Sequence, residues 1–169
     1  MEKPSLFAIR RRDLPLSSRA LIELMQEVLG RGLPFRFQAR GWSMSPFIRD
    51  GDVITIAPLL KASPGLGEVV AFTHPRTENL AVHRIVGRKE TGWLIRGDNL
   101  APLPDLLVPR INILGRVTKI ERQDSRVWLG LGLERYGITL LVRLGLLYPG
   151  LRLAAFLKNR SIGKEQDDR

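Results

Sequence analysis

Hydrophobic and polar positions follow two different periods along this chain. Residues 17–30, SSRALIELMQEVLG, place apolar side chains three and four residues apart, with Ser17 or Ser18 available as N-cap and Gly30 as the stop. This pattern predicts one amphipathic helix. From residue 35 to about residue 122 the period is close to two, and turn signals rich in Gly, Pro and Asp interrupt it at short intervals.

The segments with a period of two predict six β-strands. They comprise residues 35–39, 52–57, 67–73, 80–88, 92–96 and 112–122. Six short strands in about 90 residues favour a compact, antiparallel and partly closed sheet or barrel. We therefore expect a mainly β, α+β fold with an N-terminal helix and a C-terminal helical segment.

The chain divides into three predicted parts. Residues 1–34 form an N-terminal segment with the amphipathic helix, residues 35–122 form the β domain, and residues 123–169 form an apolar helical extension with a polar tail. Within the extension, residues 128–158 are rich in Leu, with Gly every few residues and Arg at long intervals. Such a segment suits core packing, a homodimer surface or peripheral membrane contact, and the sequence leaves these alternatives open.

Composition removes several kinds of chemistry and one kind of partner. The chain of 169 residues has no cysteine, which excludes disulfides, zinc-thiolate sites and a cysteine nucleophile. Its net charge of +10 divides as +3, +4 and +3 over residues 1–37, 38–126 and 127–169. Because this excess is dispersed and lacks interleaved aromatic residues, we do not expect nucleic acid as a partner.

The N-terminus lacks the pattern of a secretion signal. The basic run Arg10 to Arg12 interrupts any apolar stretch of the required length. No uncharged apolar run approaches the 18 or so residues of a transmembrane helix, since arginines break the candidates near the C-terminus. We expect a cytoplasmic location, with peripheral membrane association as the alternative.

Candidate chemistry rests on one serine and two histidines. Ser43 lies in GWSMSPFIRDGD, a turn between two predicted strands, and its hydroxyl needs a base to become a nucleophile. His74, in THPRT, is most simply a turn residue. His83, in LAVHRIV, shares a strand face with Ala81 and Ile85. A lone histidine in a strand is most often a half-buried structural residue, and the functional alternative is the missing base.

Two acidic residues follow His83 at a predicted strand end. Asp98 lies in RGDN, and Asp105 comes seven residues later. Acids in such turns usually accept hydrogen bonds from nearby backbone groups. Either carboxylate would alternatively accept the second ring proton of His83 and so orient the base.

Five ordered blocks carry a resemblance to a known family. GWSMSPFIRDGDVITI, GEVVAF, AVHRIV, IRGDN and ILGRV resemble the serine peptidases of the signal peptidase I and LexA-like superfamily (S24/S26) over residues 35–122. In that superfamily the serine of the Ser-Met block is the nucleophile, and the AVHRIV block supplies a lysine or a histidine as base. With His83 there, the chain resembles the histidine branch, which includes endoplasmic reticulum, archaeal and sporulation-type signal peptidases.

The resemblance implies a serine-type endopeptidase that cuts a precursor or secreted peptide through an acyl-enzyme. Ser43, His83 and Asp98 would be catalytic, and Asp105 would lie near a second acidic position. The Ser43 backbone N–H would face the oxyanion, and Met44 would line the substrate groove. Neither a metal nor another cofactor is expected.

Two residues just before Ser43 depart from the superfamily pattern. Gly41 stands where signal peptidases often carry a hydroxyl residue, and Trp42 stands where a small residue is common. These departures motivate an alternative, a catalytically weak or inactive peptide-binding module whose sheet edge accepts an extended strand. A LexA-like regulator is a further alternative, although no second N-terminal helix follows the first to complete a DNA-reading motif.

Overall fold

Strands dominate the described part of the chain. The computed structural model describes residues 7–8, 17–59, 63–99, 104–147 and 149–150. The elements follow one another as β1 (Phe7–Ala8), α1 (Ser18–Gly30), β2 (Phe35–Gln38), β3 (Val53–Ala57), β4 (Val69–Thr73), β5 (Leu80–Lys89), β6 (Gly92–Arg96), β7 (Leu106–Val108), β8 (Ile113–Arg122), β9 (Ser125–Val127) and α2 (Arg135–Arg143). A single turn of 3-10 helix at Arg110–Asn112 precedes β8.

The prediction of a mainly β, α+β fold is confirmed. Each of the six predicted strands is present, and the N-terminal helix lies where its apolar spacing placed it. The sequence pattern did not reveal β1, β7 and β9, which have two or three residues each. A segment of that length shows no measurable period, because an alternation needs at least four residues to be visible.

Strand pairing gives one open sheet. The order is β1-β2-β3-β8-β4-β5-β6-β7, with β9 on β8, and the pairs are antiparallel except for β1 and β2. Within the described residues, β1 and β7 end this path without pairing to each other. The expected partial closure into a barrel is therefore not observed, although the antiparallel sheet itself is.

Helix α1 shares its core with the first half of the sheet. Its N-cap is Ser17, whose hydroxyl accepts a hydrogen bond from the backbone N–H of Ala20 at 3.2 Å. The buried face of the helix packs against side chains of β2, β3 and β8 in one apolar cluster that includes Met25, Val28, Phe35, Ile54, Ile56 and Ile120. This packing fixes α1 beside the β2–β3 connection, which carries Ser43.

Two further clusters organise the other half of the molecule. One joins β4, β5, β6 and β7 through buried aliphatic and aromatic side chains, among them Val70, Phe72, Ile85, Trp93 and Val108. The other joins the β2–β3 connection and β5 to the C-terminal helix through Phe47, Val86, Ile138, Val142 and Leu147. The C-terminal segment is thus packed against the β2–β3 connection and β5.

The structure describes part of the predicted helical stretch 128–158. Helix α2 spans Arg135–Arg143, residues 147 and 149–150 are also helical, and the part of the prediction beyond residue 150 lies outside the described residues. Turns and a bend precede α2, and Gly130 in this segment has a positive φ of 112°. No helix in the described ranges combines the length and hydropathy needed to cross a bilayer.

Candidate active site

The connection between β2 and β3 presents Ser43. Backbone hydrogen bonds close its base, from Ala39 N to the Asp52 carbonyl at 2.7 Å and from Gly51 N to the Ala39 carbonyl at 3.0 Å. Nearer Ser43, the Gly41 N–H donates to the Asp50 carboxylate at 2.9 Å. These contacts hold the two arms of the connection together, so that the turn with Ser43 has a defined direction.

Asp52 stabilises the same connection through hydrogen bonds to its carboxylate. Its buried carboxylate accepts from the Arg49 N–H at 2.8 Å and from the Arg122 guanidinium at 2.9 and 2.8 Å. The acidic turn Asp50–Gly51–Asp52 therefore has a structural role, which is to hold the connection that carries Ser43.

Ser43 and His83 meet in space although 40 residues separate them in sequence. The distance from Ser43 Oγ to His83 Nε2 is 3.0 Å, and both side chains are partly buried. A hydroxyl and an imidazole nitrogen at this separation share a hydrogen bond, with the proton position set by the tautomer. The structure thus brings together the two residues that the sequence singled out as nucleophile and base.

The surroundings of His83 favour its neutral form. Burial, with a smaller contribution from the nearby charge of His74, lowers the pKa of His83 from 6.5 to about 4. The imidazole also lies beside the ring of Phe72, with the ring centroids 5.8 Å apart and the planes tilted by 55°. At neutral pH the imidazole is therefore uncharged and able to accept a proton.

Asp98 does not contact His83, which corrects the expectation that it orients the imidazole. Its two carboxylate oxygens accept from Arg84 Nε at 2.8 Å and Arg84 Nη2 at 2.7 Å. His83 and Arg84 are consecutive residues of β5, so their side chains leave opposite faces of the sheet. Asp98 pairs on the Arg84 face, where burial raises the pKa of its carboxyl against the opposing effect of the guanidinium.

Asp105, the second candidate acid, pairs with Arg96. Its carboxylate accepts from Arg96 Nε at 2.7 Å, while Arg96 Nη1 donates to the Val142 carbonyl of α2 at 3.0 Å. Neither predicted acid therefore lies on the imidazole, and within the described residues no hydrogen bond to His83 Nδ1 is found. Both acids act instead as counter-ions of arginines that hold the C-terminal segment.

Asn99 is a site residue that the sequence motif contained but whose role we did not predict. Its backbone N–H donates to the Ser43 carbonyl at 2.8 Å, and its side-chain amide donates to the Trp42 carbonyl at 3.2 Å. Asp98, the preceding residue, is fixed by Arg84. The Gly-Asp-Asn turn thus links a buried ion pair to the backbone of the candidate nucleophile.

The other predicted positions lie around the same turn. Met44 is buried in the core cluster of α1 and also lines the cavity beside Ser43. Among the described hydrogen bonds, the Ser43 backbone N–H donates to no protein acceptor, which leaves it free to face a ligand. Trp42 is exposed, and Gly41 has a positive φ of 89°, a conformation that disfavours the hydroxyl residue expected there.

A cavity of about 330 Å³ opens beside the Ser43–His83 contact. Its walls come from α1, the end of β2, the β2–β3 connection and β5, and they include Leu21, Phe37, Met44, Leu80 and Val82. Its volume is within the range of small ligand pockets, and its lining is mostly apolar. The described residues contain no cluster of three or more metal-binding side chains.

The fold and the site together define a β-sheet domain with the hydroxyl–imidazole contact that serine hydrolases use. A sequence model of the family described as Peptidase S24-like matches residues 16–118. The match covers more than half of the chain and includes both Ser43 and His83, and the chain belongs to this family. A comparison with curated proteins gives no match.

The buried ion pair predicts a large stability loss when one partner is removed. The Asp98→Ala substitution leaves Arg84 charged and unpaired in the interior, so we expect the free energy of unfolding to fall by about 3–5 kcal/mol. Denaturant-induced unfolding measures this change. Replacing both charges, with Arg84→Met and Asp98→Leu, should restore part of the loss because no buried charge then remains.

An exposed ion pair provides the matched control. Arg19 and Glu23 lie 3.2 Å apart on the surface of α1, and Glu23→Ala should cost less than about 1 kcal/mol. If Asp98→Ala is no more destabilising than Glu23→Ala, the Arg84–Asp98 pair does not have the structural role assigned to it.

The lowered pKa of His83 predicts a specific pH dependence of stability. Between pH 6.5 and about 4 the unfolded chain binds a proton at His83 that the folded chain does not bind, so stability falls as the pH falls. The contribution is on the order of 3 kcal/mol across that window. In the His83→Gln variant this component should be absent, as measured by urea unfolding at several pH values.

A second substitution tests the smaller cause. His74→Gln removes a neighbouring positive charge, which should raise the pKa of His83. The pH range over which stability falls should then become narrower. An identical slope of stability against pH in wild type and His83→Gln would contradict the lowered pKa.

Proposed function

We propose that this protein is a serine-type endopeptidase with Ser43 as nucleophile and His83 as general base. The observation that carries the proposal is the 3.0 Å separation of Ser43 Oγ and His83 Nε2 at the edge of a cavity. Membership of the Peptidase S24-like family supports it. A candidate base must lie within hydrogen-bond reach of the proton it removes, and His83 meets that condition.

The proposed reaction is acyl transfer in two halves. Ser43 Oγ attacks the scissile carbonyl carbon while His83 Nε2 takes the hydroxyl proton, which gives a tetrahedral oxyanion. The Ser43 N–H donates to that oxyanion. As the C–N bond breaks, the protonated His83 gives its proton to the leaving amine. Water then attacks the ester with His83 again as base, releasing the carboxylic acid and regenerating the hydroxyl.

His83 is oriented by packing in this proposal. No carboxylate of the described residues accepts a hydrogen bond from its Nδ1, because Asp98 and Asp105 are bound to Arg84 and Arg96. Contact with Phe72 and the fixed backbone of β5 restrict the ring instead. The pKa of about 4 ensures that nearly all of the imidazole is in the base form at neutral pH.

The free edge of β5 suits an extended peptide substrate. Strand β6 pairs with β5 only from Arg84 onward, so the Leu80–His83 stretch has β4 on one side and no described strand on the other. This stretch lines the cavity beside Ser43. The peptide would add to the sheet here as a further strand, with its side chains alternating between the cavity and the opposite side.

Backbone direction along β5 supports this binding mode. The Asn79 carbonyl and the Ile85 N–H both bond toward β4, at 2.9 and 2.8 Å. Because donors and acceptors alternate between the two sides of an antiparallel strand, the N–H and C=O groups of Leu80 and Val82 point to the free edge. They can pair with a substrate backbone on the way to Ser43.

The presence of His83 rather than lysine at the base position also supports the histidine branch of the superfamily. The members of that branch process precursor proteins, and we propose a precursor or secreted peptide as the substrate. Processing of signal peptides is the form of this activity that the resemblance implies.

Covalent labelling tests the activity. A fluorophosphonate should modify Ser43 at pH 7, and Ser43→Ala should abolish the modification. His83→Ala should slow it by at least about a hundredfold, the usual contribution of general base catalysis. Intact-protein mass spectrometry with peptide mapping measures both the extent and the site.

Ser45 offers a matched control in the same turn. Its backbone N–H donates a hydrogen bond to the Trp42 carbonyl at 3.1 Å, whereas its hydroxyl has no part in the proposed reaction. Ser45→Ala should therefore label like wild type. Labelling that survives unchanged in His83→Ala, or that occurs at another serine, would refute the proposed site.

A peptide-binding module without efficient catalysis is the second candidate function. Two observations favour it: no described carboxylate supports His83, and Gly41 supplies no hydroxyl beside Ser43. The free edge of β5 would bind an extended peptide in the same way. The two functions differ in whether a bound peptide is cut and whether the fluorophosphonate reacts.

N-methyl substitutions along a bound peptide test whether it pairs with the free edge of β5. In the Ser43→Ala protein, single N-methyl substitutions along a peptide ligand should weaken binding by roughly two- to tenfold at alternate positions, because each removes one hydrogen bond. Positions between them are the matched controls. Calorimetry measures the affinities, and a loss without a period of two would exclude strand addition at β5. Binding that persists in a wild type inert to fluorophosphonate would favour the module.

A further inference from the structure

We propose that the C-terminal segment carries a docking surface for an anionic lipid membrane. We call this surface the outward face of α2; Tyr136 and Leu140 lie in the helix, Leu144 directly follows it, and Trp128, Leu129 and Leu133 lie in the segment just before it. All six side chains are exposed, with Leu133, Leu140 and Leu144 exposed by 83%, 58% and 59% and Trp128 by 74%. The proposal goes beyond the peptidase function and does not depend on it.

Helix α2 is apolar on two opposite sides. Its inner side buries Ile138 and Val142 against the sheet, whereas Tyr136, Leu140 and Leu144 follow the helical spacing of four residues on the other side. A helix in water normally presents a polar face to the solvent, and a contiguous exposed apolar face marks an interaction site. The outward face of α2 therefore needs a partner.

Charge selects an anionic membrane as that partner. Residues 125–147 contain three basic side chains, Arg126, Arg135 and Arg143, and one acid, Glu134. The Glu134 carboxylate accepts the N–H groups of Gly130 and Gly132, at 2.7 and 2.8 Å. Arg135 is paired with Glu68 at 3.7 Å, whereas Arg126 and Arg143 have no carboxylate partner among the described residues. These two cations make the surface positive, and two copies placed face to face would bring like charges together. Anionic headgroups complement it instead.

Aromatic side chains support the same assignment. The Arg126 guanidinium lies 4.1 Å from the centre of the Trp128 ring, and the Arg135 guanidinium lies 5.0 Å from that of Tyr136. Tryptophan and tyrosine with an adjacent cation suit the boundary between lipid headgroups and acyl chains, where one part of the side chain is apolar and the other polar.

The inner side of the segment connects the surface to the active site. Arg84 directly follows His83 in β5, and its Nη1 donates to the Gly130 carbonyl at 2.9 Å. Phe47, four residues after Ser43, lies in the same cluster as Ile138 and Val142 of α2. A protein docked through the outward face of α2 would therefore hold its Ser43 turn in a fixed orientation relative to the lipid surface.

Vesicle co-sedimentation of the full chain tests the proposal. Wild type should bind vesicles of phosphatidylcholine with phosphatidylglycerol, and bind pure phosphatidylcholine more weakly. Each of Leu140→Ser and Leu144→Ser should reduce the partition coefficient by about tenfold, since each removes one leucine from the buried apolar area. Arg143→Gln should reduce it by about fivefold on the anionic vesicles, and less on the neutral ones.

Ile111 provides the matched control. Its side chain is 88% exposed but lies in the 3-10 turn before β8, outside the proposed surface. Ile111→Ser should bind vesicles like wild type. Circular dichroism and thermal unfolding of each variant confirm that the fold is retained, which is expected because the substituted side chains face solvent.

Fluorescence gives an independent measurement. A lipid-borne quencher should reduce the emission of Trp128, and Trp128→Phe should remove that component. A chain that ignores anionic vesicles overturns the proposal. So does a concentration-dependent dimer that Leu140→Ser dissociates, which would assign the surface to a second copy. Labelling of Ser43 without vesicles is a separate readout, so failure here and failure of the proposed peptidase function are distinguishable.

Discussion

The buried ion pair between Arg84 and Asp98 is the contact on which the rest of this structure depends. Both side chains have zero exposure, so the desolvation of two charges costs several kcal/mol per ion. That cost is offset because the guanidinium also donates to the carbonyls of Gly67 and Gly130. Three distant segments meet on it, and through Asn99, next to Asp98, it fixes the carbonyl of Ser43. The Arg84–Asp98 ion pair thus helps to position the Ser43 hydroxyl without contacting it.

The alternation of side chains along β5 places His83 and Arg84, which have different roles, on opposite faces of the sheet. His83 faces Ser43 and Arg84 faces the interior, because consecutive residues of a strand point to opposite sides. A shift of one residue in the pairing of β4 with β5 would exchange these two faces. The buried side chain of Ile85, which lies on the same face of β5 as His83, resists such a shift, since the shift would turn Ile85 out of its core cluster. The apolar core therefore specifies which side chain meets the nucleophile.

Local patterns predicted most of the fold but less of the site. The six longer strands and α1 follow from periods of two and of three to four, whereas β7 is too short to show one. Ser43 and His83 could be paired because the order of the blocks resembled a family. The partner of Asp98 could not be chosen, because an acid in a turn after β6 can reach either face of β5. Arg84, a charged residue whose neighbours on the same strand face, Val82 and Val86, are apolar, was the available signal for a buried ion pair.

In the proposed peptidase reaction, a histidine without a carboxylate partner changes which groups must stabilise the transition state. In a triad the acid stabilises the imidazolium that forms in the transition state. In the described residues His83 lacks that support, and burial makes its protonated form still less favourable, as the pKa of about 4 expresses. At neutral pH the imidazole of His83 is in the form that accepts a proton, but its protonation is unfavourable because its pKa is low. In that reaction the Ser43 N–H and substrate pairing at Leu80 and Val82 must then supply most of the stabilisation, so the backbone of the proposed site matters as much as its side chains.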